Sequence, residues 1–143
     1  MLNATGETVE VGVQFLWLDG GVVTLDVSGK LRFYLLPNRP GIYRFTLTDG
    51  DSGSLSIYIG ESDNLARRMS NYRNPGPTQP TNERLQARML ETLAGGGKVS
   101  VSVAVEATVD GATLDLTARP ARLLAENAAL IRAGQQGHHA ENL

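Results

Sequence analysis

Cysteine is absent from this sequence of 143 residues. That excludes disulfides, thiolate zinc sites and a cysteine nucleophile, and it fits a reducing, cytoplasmic setting. Nowhere is there a run of about 18 apolar residues, so no membrane-spanning helix is expected. The first residues, MLNATGETVEVG, lack both a basic region and a long apolar block, and do not read as a secretory signal. Repeats and heptads are missing too. Net charge is only −2, whereas nucleic-acid binders are often basic. The length and a 41% hydrophobic content suit one globular domain with a modest core.

Within that near-neutral sum the charge is uneven. Between Asn64 and Arg88 lie Arg67, Arg68, Arg73, Arg84 and Arg88 against a single acid, Glu83, so the segment carries +4 and the remainder −6. Arginine is suited to bidentate phosphate contacts. A solvated helical surface accounts for the same run, and charge alone leaves both readings open.

Periodicity predicts a mixed order of elements. VEVGVQFLWL and GVVTLDV read as strands joined by a turn at Asp19–Gly21, and KLRFYLL as a further short strand. GIYRFTL and LSIYIG read as a hairpin with a long polar tip, TDGDSGS. A first helix follows, with Ser62 or Asp63 as its cap and Leu65, Arg68, Met69 and Tyr72 on one face; NPGPTQP ends it. TNERLQARMLETLAG gives a second helix, capped by Thr81 or Asn82 and stopped at Gly95–Gly97. KVSVSVAVE alternates strictly, as a half-buried strand does, and GATLDL is expected to extend the sheet. ARPARLLAENAALIRAG is the last helix, and QQGHHAENL is expected to be a lightly packed or disordered tail, which argues against His138 and His139 as ligands. From Gly41 onward the order is β-β-α-α-β-α, which predicts an α+β domain.

Two residues on these helices invite a chemical reading. Arg68 lies on the apolar stripe, whereas Arg67 is turned away by roughly 100° and should see solvent. An inward arginine needs an anion or carbonyl partner, or it snorkels. With Leu123 at 0°, the apolar arc of the last helix runs from roughly −20° to 140°, and Glu126 falls at about −60°, on its margin. Asn127 falls inside that arc and is expected to be a buried amide. A surface role remains open for Glu126, as does a plain core role for Tyr43 and Tyr58.

Taken together, GIY at 41–43, YIG at 58–60, an arginine ten residues past the second tyrosine and a glutamate on the last helix resemble the GIY-YIG nuclease superfamily. The resemblance covers residues 41 to about 142. It implies a GIY-YIG nuclease fold, a small mixed β-sheet flanked by helices, with residues 1–40 as an N-terminal β extension and 41–143 as the nuclease domain. Carried over by position, it makes Tyr43, Tyr58, Arg68, Tyr72 and Glu126 the catalytic set. Gly41, Gly60, Asn127 and Asn142 serve the motif or the fold. Glu126 would hold one Mg²⁺ or Mn²⁺, and Tyr43 would act as general base. Arg67, Arg73, Asn82, Arg84 and Arg88 are the expected nucleic-acid contacts.

This chain departs from the family's pattern at two positions. Glu61 follows the second glycine where repair members carry lysine. At the family's late asparagine stands His138; Asn142 is the nearest asparagine, and an insertion in AGQQGHHAEN would reconcile them. The implied activity is metal-dependent DNA endonuclease, in the cytoplasm and away from membranes, with a homodimer or a partner protein supplying target specificity. An inactive nucleic-acid-binding or interaction module, and a ribonuclease or toxin-like member, are the alternatives.

Overall fold

The structure is a computed structural model describing residues 1–77 and 79–142; Thr78, within the predicted proline-rich stop, and Leu143 lie outside the described residues. Its elements run β1 (Val13–Gln14), β2 (Leu18–Leu25), β3 (Leu31–Arg32), β4 (Gly41–Thr48), β5 (Leu55–Ser62), α1 (Leu65–Arg73), α2 (Pro80–Ala94), β6 (Lys98–Ala104), β7 (Ala107–Val109), β8 (Ala112–Leu114), α3 (Arg119–Gln135) and β9 (His139–Ala140). None of these helices is long and apolar enough to cross a membrane.

A six-stranded sheet in the order β3-β2-β6-β4-β5-β9 carries the fold. It is mixed, because β9 runs parallel to β5 while the other neighbours are antiparallel. β4 lies between β5 and β6 and is covered on both faces, as its run of apolar residues requires. Its alternation sorts two cores. Tyr43, Phe45 and Leu47 join Val99, Val101 and Val103 beneath Leu65, Met69 and Tyr72 of α1 and Leu85 and Met89 of α2. On the reverse face Ile42, Ile57, Ile59 and Ala104 meet Ala125, Ala129 and Ala133 of α3. The domain is therefore a sheet with α1 and α2 on one side and α3 on the other, an α+β arrangement as expected.

Several local expectations are corrected. Asp19–Gly21 is not a turn between strands. It is a bulge inside β2, where the pairing with β6 slips between Asp19 and Val22. The Asp19 carboxylate accepts the Gly21 N–H at 2.9 Å, and Gly21 takes a positive φ of 94° beneath the Tyr34 ring. VEVGVQFLWL contributes β1 and, at Leu18, the first residue of β2; β1 pairs with β7 in a separate three-stranded sheet of β1, β7 and β8, so GATLDL does not extend the main sheet. Asn64 caps α1, its Oδ1 accepting the Arg67 N–H at 3.0 Å, while Ser62 bonds the Asn64 backbone. α2 has Gln79 at the cap position, without a side-chain cap, and Pro80 opens the helix.

The buried stripe of α3 also differs from the predicted arc. It consists of Arg122, Ala125, Ala129 and Ala133, while Leu124 and Ile131 are exposed. Small alanines let the helix axis approach the isoleucines of the sheet, so the larger residues turn outward. They line a cleft of about 590 Å³ shared with Phe15, Trp17 and Arg44. Asn127, expected to be buried, is exposed on the same outer side.

The tail is ordered, against expectation. His139 and Ala140 pair with Ser56 and Ile57. Beyond them the Asn142 side chain mimics one more strand residue, Oδ1 accepting the Ile59 N–H at 3.0 Å and Nδ2 donating to Ile59 O at 2.6 Å. A side-chain amide carries one donor face and one acceptor face, the pair a strand edge demands. Periodicity missed this because two hydrogen bonds leave no hydrophobic pattern.

Two stability predictions follow from these contacts. Replacing Asn142 by alanine leaves a part-buried strand edge unsatisfied and should cost about 1–3 kcal/mol, read by urea denaturation; full stability in Asn142→Ala would show that the amide is dispensable. A Cβ at Gly60 would collide with the Tyr43 ring. Gly60→Ala should therefore destabilise by about 1–3 kcal/mol, and an unperturbed melting temperature would refute that packing.

Candidate active site

Tyr43 and Tyr58 lie on the same face of the β4–β5 hairpin, with Tyr43 opposite Gly60 and Phe45 opposite Tyr58. Cross-strand neighbours on one face are within reach of each other. Tyr43 and Tyr58 have ring centroids 6.2 Å apart, and Phe45 lies 5.4 Å from Tyr43. Gly60 has no side chain, so the Tyr43 ring lies across it and reaches α1. There its hydroxyl meets that of Tyr72 at 2.7 Å. The glycine of the second motif is thus explained by the tyrosine of the first. Gly41 has a parallel reason, because a Cβ there would strike Ala104 O and the Leu65 side chain.

Tyr72 is the hub of the phenols. It is fully buried and bonds Tyr43, and it acts electrostatically on Tyr58. Burial pushes the Tyr72 phenol far above its ordinary range, and Tyr43 and Tyr58 push it further. Tyr43, 1% exposed, is also raised strongly, by burial first and then by Tyr58. Tyr58 is half-buried and raised by burial and by Glu126. The positive charge of Arg68 works against all three shifts. The Tyr43 oxygen, the expected general base, is enclosed and shared with Tyr72.

Arg68 is half-buried on the inner stripe of α1, and Arg67 faces solvent, as helical geometry predicts. Burial alone would pull the Arg68 guanidinium down, but Tyr43, Tyr72, Glu61 and Tyr58 more than offset it, and it stays charged. Glu126 approaches from α3. Its carboxyl is raised above the ordinary value by burial and by the negative charge of Glu61, opposed by Arg119 and Arg68. Among the described residues no hydrogen bond or ion pair within 4.0 Å engages it. Four elements, β4, β5, α1 and α3, thus bring Tyr43, Tyr58, Tyr72, Arg68 and Glu126 into one electrostatic unit.

Sequence reasoning missed the arginines that frame it. Arg122 is 6% exposed and donates from Nε to Glu61 Oε2 at 2.6 Å and from Nη1 to Leu116 O and Thr117 O, each at 3.1 Å. Arg119 Nε lies 3.7 Å from Glu61 Oε1. Glu61 is thus the tie between the end of β5 and the first turn of α3. The spacing 119, 122, 126 along one helix face was the available signal. It was masked by the apolar arc of Leu123, Leu124, Leu130 and Ile131.

The expected basic surface is largely neutralised in space. Arg67 pairs with Asp63. Arg73 donates to Asp26 at 2.5 Å and to Leu31 O at 2.6 Å. Arg88 donates to Glu141 at 2.9 Å, and Arg84 to the Glu141 carbonyl at 3.3 Å. Asn82 is 7% exposed. Counting along the chain could not find these partners, because Asp26 and Glu141 lie far from the arginines in sequence.

No family model matches the chain. A stretch of 37 residues, 26% of the chain, is 49% identical to UvrABC system protein C from Brucella suis biovar 1 (strain 1330). The chain spans only 5% of the length of that protein. The fold is similar to the structure of the bacteriophage T4 EndoII E118A mutant, with a TM-score of 0.55 at 17% identity, covering 78% of this chain and 86% of that one. The shared fold thus carries paired motif tyrosines on adjacent strands, Arg68 on the helix that follows them and Glu126 on the last long helix, the pattern in which the chain resembles the GIY-YIG superfamily.

Proposed function

We propose that the protein is a GIY-YIG nuclease that hydrolyses phosphodiester bonds in DNA with one divalent cation, Mg²⁺ or Mn²⁺, held by Glu126. The observation that carries this reading is the Glu126 carboxylate. It is half-buried, has no contacting partner among the described residues, and acts on Tyr43 and Tyr58. A buried carboxylate without a counter-charge in contact is costly, and a small hard cation relieves it. No group of three or more His, Cys, Asp or Glu among the described residues forms a metal cage. Mg²⁺ needs none, since it keeps much of its water shell and takes one or two carboxylates.

When bound, the cation supplies charge that neutralises the phosphoryl oxygens. The rest falls to side chains. Arg68 donates to the phosphate and stabilises charge developing there. Tyr58, the more exposed motif phenol, orients the attacking water and takes its proton once ionised. Tyr72, fully buried and raised by that burial, keeps its own proton and donates a hydrogen bond to the phenolate. Tyr43, enclosed over Gly60, holds Tyr72 in place. DNA backbone contacts fall first to Arg67 and Arg84, which are exposed. Arg73 and Arg88, paired to Asp26 and Glu141, and the buried Asn82 support the surface behind them. A cytoplasmic setting, and a second copy or a partner protein for target choice, belong to the same reading. A binding module that does not cut is favoured by one observation, the raised phenols of the resting molecule.

Glu126→Ala should lower plasmid cutting in Mg²⁺ by at least about 10²-fold while DNA binding persists. Equal loss of binding and cutting would make Glu126 structural, and cutting by the wild type in EDTA would sink the metal dependence. Burial holds the Tyr58 phenol protonated at neutral pH, so the wild-type rate should rise with pH across the alkaline range. Tyr58→Phe should lose about 10²–10⁴-fold in rate and flatten that profile. If Tyr43→Phe flattens it instead, the proton acceptor is Tyr43.

A further inference from the structure

Three arginines and two carboxylates share the mouth of the tyrosine cluster, and four of these five groups have work in the site as described. Arg68 faces the phenols. Arg122 is enclosed, and its donors go to Glu61 and to two carbonyls. Glu61 accepts from it, and Glu126 is the carboxylate open to a cation. Arg119 is the remaining group. Its side chain is 71% exposed, and its ion-pair partner Glu61 Oε1 is 3.7 Å away, beyond hydrogen-bonding range.

Nothing in the packing of α3 calls for an arginine at this place. Arg119 is the first residue of the helix, and a cation there opposes the positive end of the helix dipole. Yet the 3- and 4-residue steps from Arg119 to Arg122 to Glu126 keep all three on one stripe. The guanidinium therefore stands on the stripe that carries Glu126, at the Glu61 end of the site. Glu61 restrains it loosely and leaves most of its five donors free. A planar donor fork, exposed on the helix stripe that carries Glu126, matches the two oxygens of a phosphodiester.

We propose that Arg119 is a phosphate-contacting residue, which Glu61 holds over the Glu126 end of the site until a backbone phosphate of the bound nucleic acid takes its donors. The identity of the ligand rests on the nuclease reading above; the contact itself makes and breaks no covalent bond. The test is fluorescence anisotropy of a short labelled DNA duplex in EDTA across a salt series, beside plasmid cutting in Mg²⁺. Arg119→Ala should reduce the slope of log K against log salt by about 0.9. Arg119→Lys should keep the slope while binding less tightly, because a point charge cannot donate bidentately. Arg132→Ala, an exposed arginine near the other end of α3 that lines the opposite cleft, should leave the slope unchanged. An unchanged slope in Arg119→Ala, or an equal fall in Arg132→Ala, overturns the contact. Cutting by the wild type with no effect of Arg119→Ala on the slope leaves the nuclease reading standing alone. An Arg119-dependent slope without cutting keeps the contact and removes the nuclease. A wild-type chain that shows no salt-dependent binding overturns both.

Discussion

The ring of Tyr43 lies across Gly60, and most of the site depends on that contact. With any side chain at position 60 the phenol could not cross the hairpin to reach Tyr72. The Tyr43–Tyr72 bond in turn ties β4 to α1 and sets the inner stripe on which Arg68 rides. Edge-on contacts of Tyr72 with Phe45, at 4.9 Å, and with Tyr43, at 6.0 Å, brace the same junction; aromatic pairs of this kind contribute about 0.5–1.5 kcal/mol each beyond area burial. One missing Cβ therefore connects a strand, a helix and two catalytic candidates.

Glu61 and Arg122 make the second junction. Arg122 reaches from α3 to the end of β5, and Glu126 follows one turn later on the same face. The ion pair is largely enclosed, and its Arg122 donors are satisfied by Glu61 and two carbonyls, the condition under which a buried charge is tolerated. Its service is to place: it fixes where α3 meets the sheet, and so where the free carboxylate points. The acid after the second glycine, which looked misplaced beside a phosphate site, is accounted for by the arginine it holds.

Much of this was legible in the sequence where local rules govern. The hairpin, both long helices and the strict alternation of β6 follow from period and turn chemistry. Helical angle alone separated Arg68 from Arg67 correctly. What stayed hidden depends on partners distant in the chain. Arg73 could not be paired with Asp26, nor Arg88 with Glu141, by any window of sequence. The rotation of α3 was misjudged because hydrophobicity ranks leucine above alanine, whereas close approach to a sheet favours the alanine stripe. The N-terminal bulge was read as a turn because Asp-Gly-Gly serves both geometries. Asn142 offered only that it is the asparagine nearest to the position implied by the resemblance, where His138 stands, and its use as a surrogate strand residue is visible only with β5 beside it.

The register of the sheet also bears on how the chain assembles. β4 and β5 are neighbours along the chain, joined by the tip at residues 49–54, and can pair early, since nearby segments close at little entropic cost. β6 must return across the whole of α1 and α2 to reach β4, and Asn142 reaches Ile59 from 83 residues away. Such long-range pairings slow folding. On a ribosome the tyrosine hairpin would emerge, pair and pack against α1 while α3 is still unmade, so the phenols would gather well before the carboxylate arrives. A nascent chain would hold its aromatic cluster in advance of Glu126, and β5 would keep a bare outer edge until β9 was made.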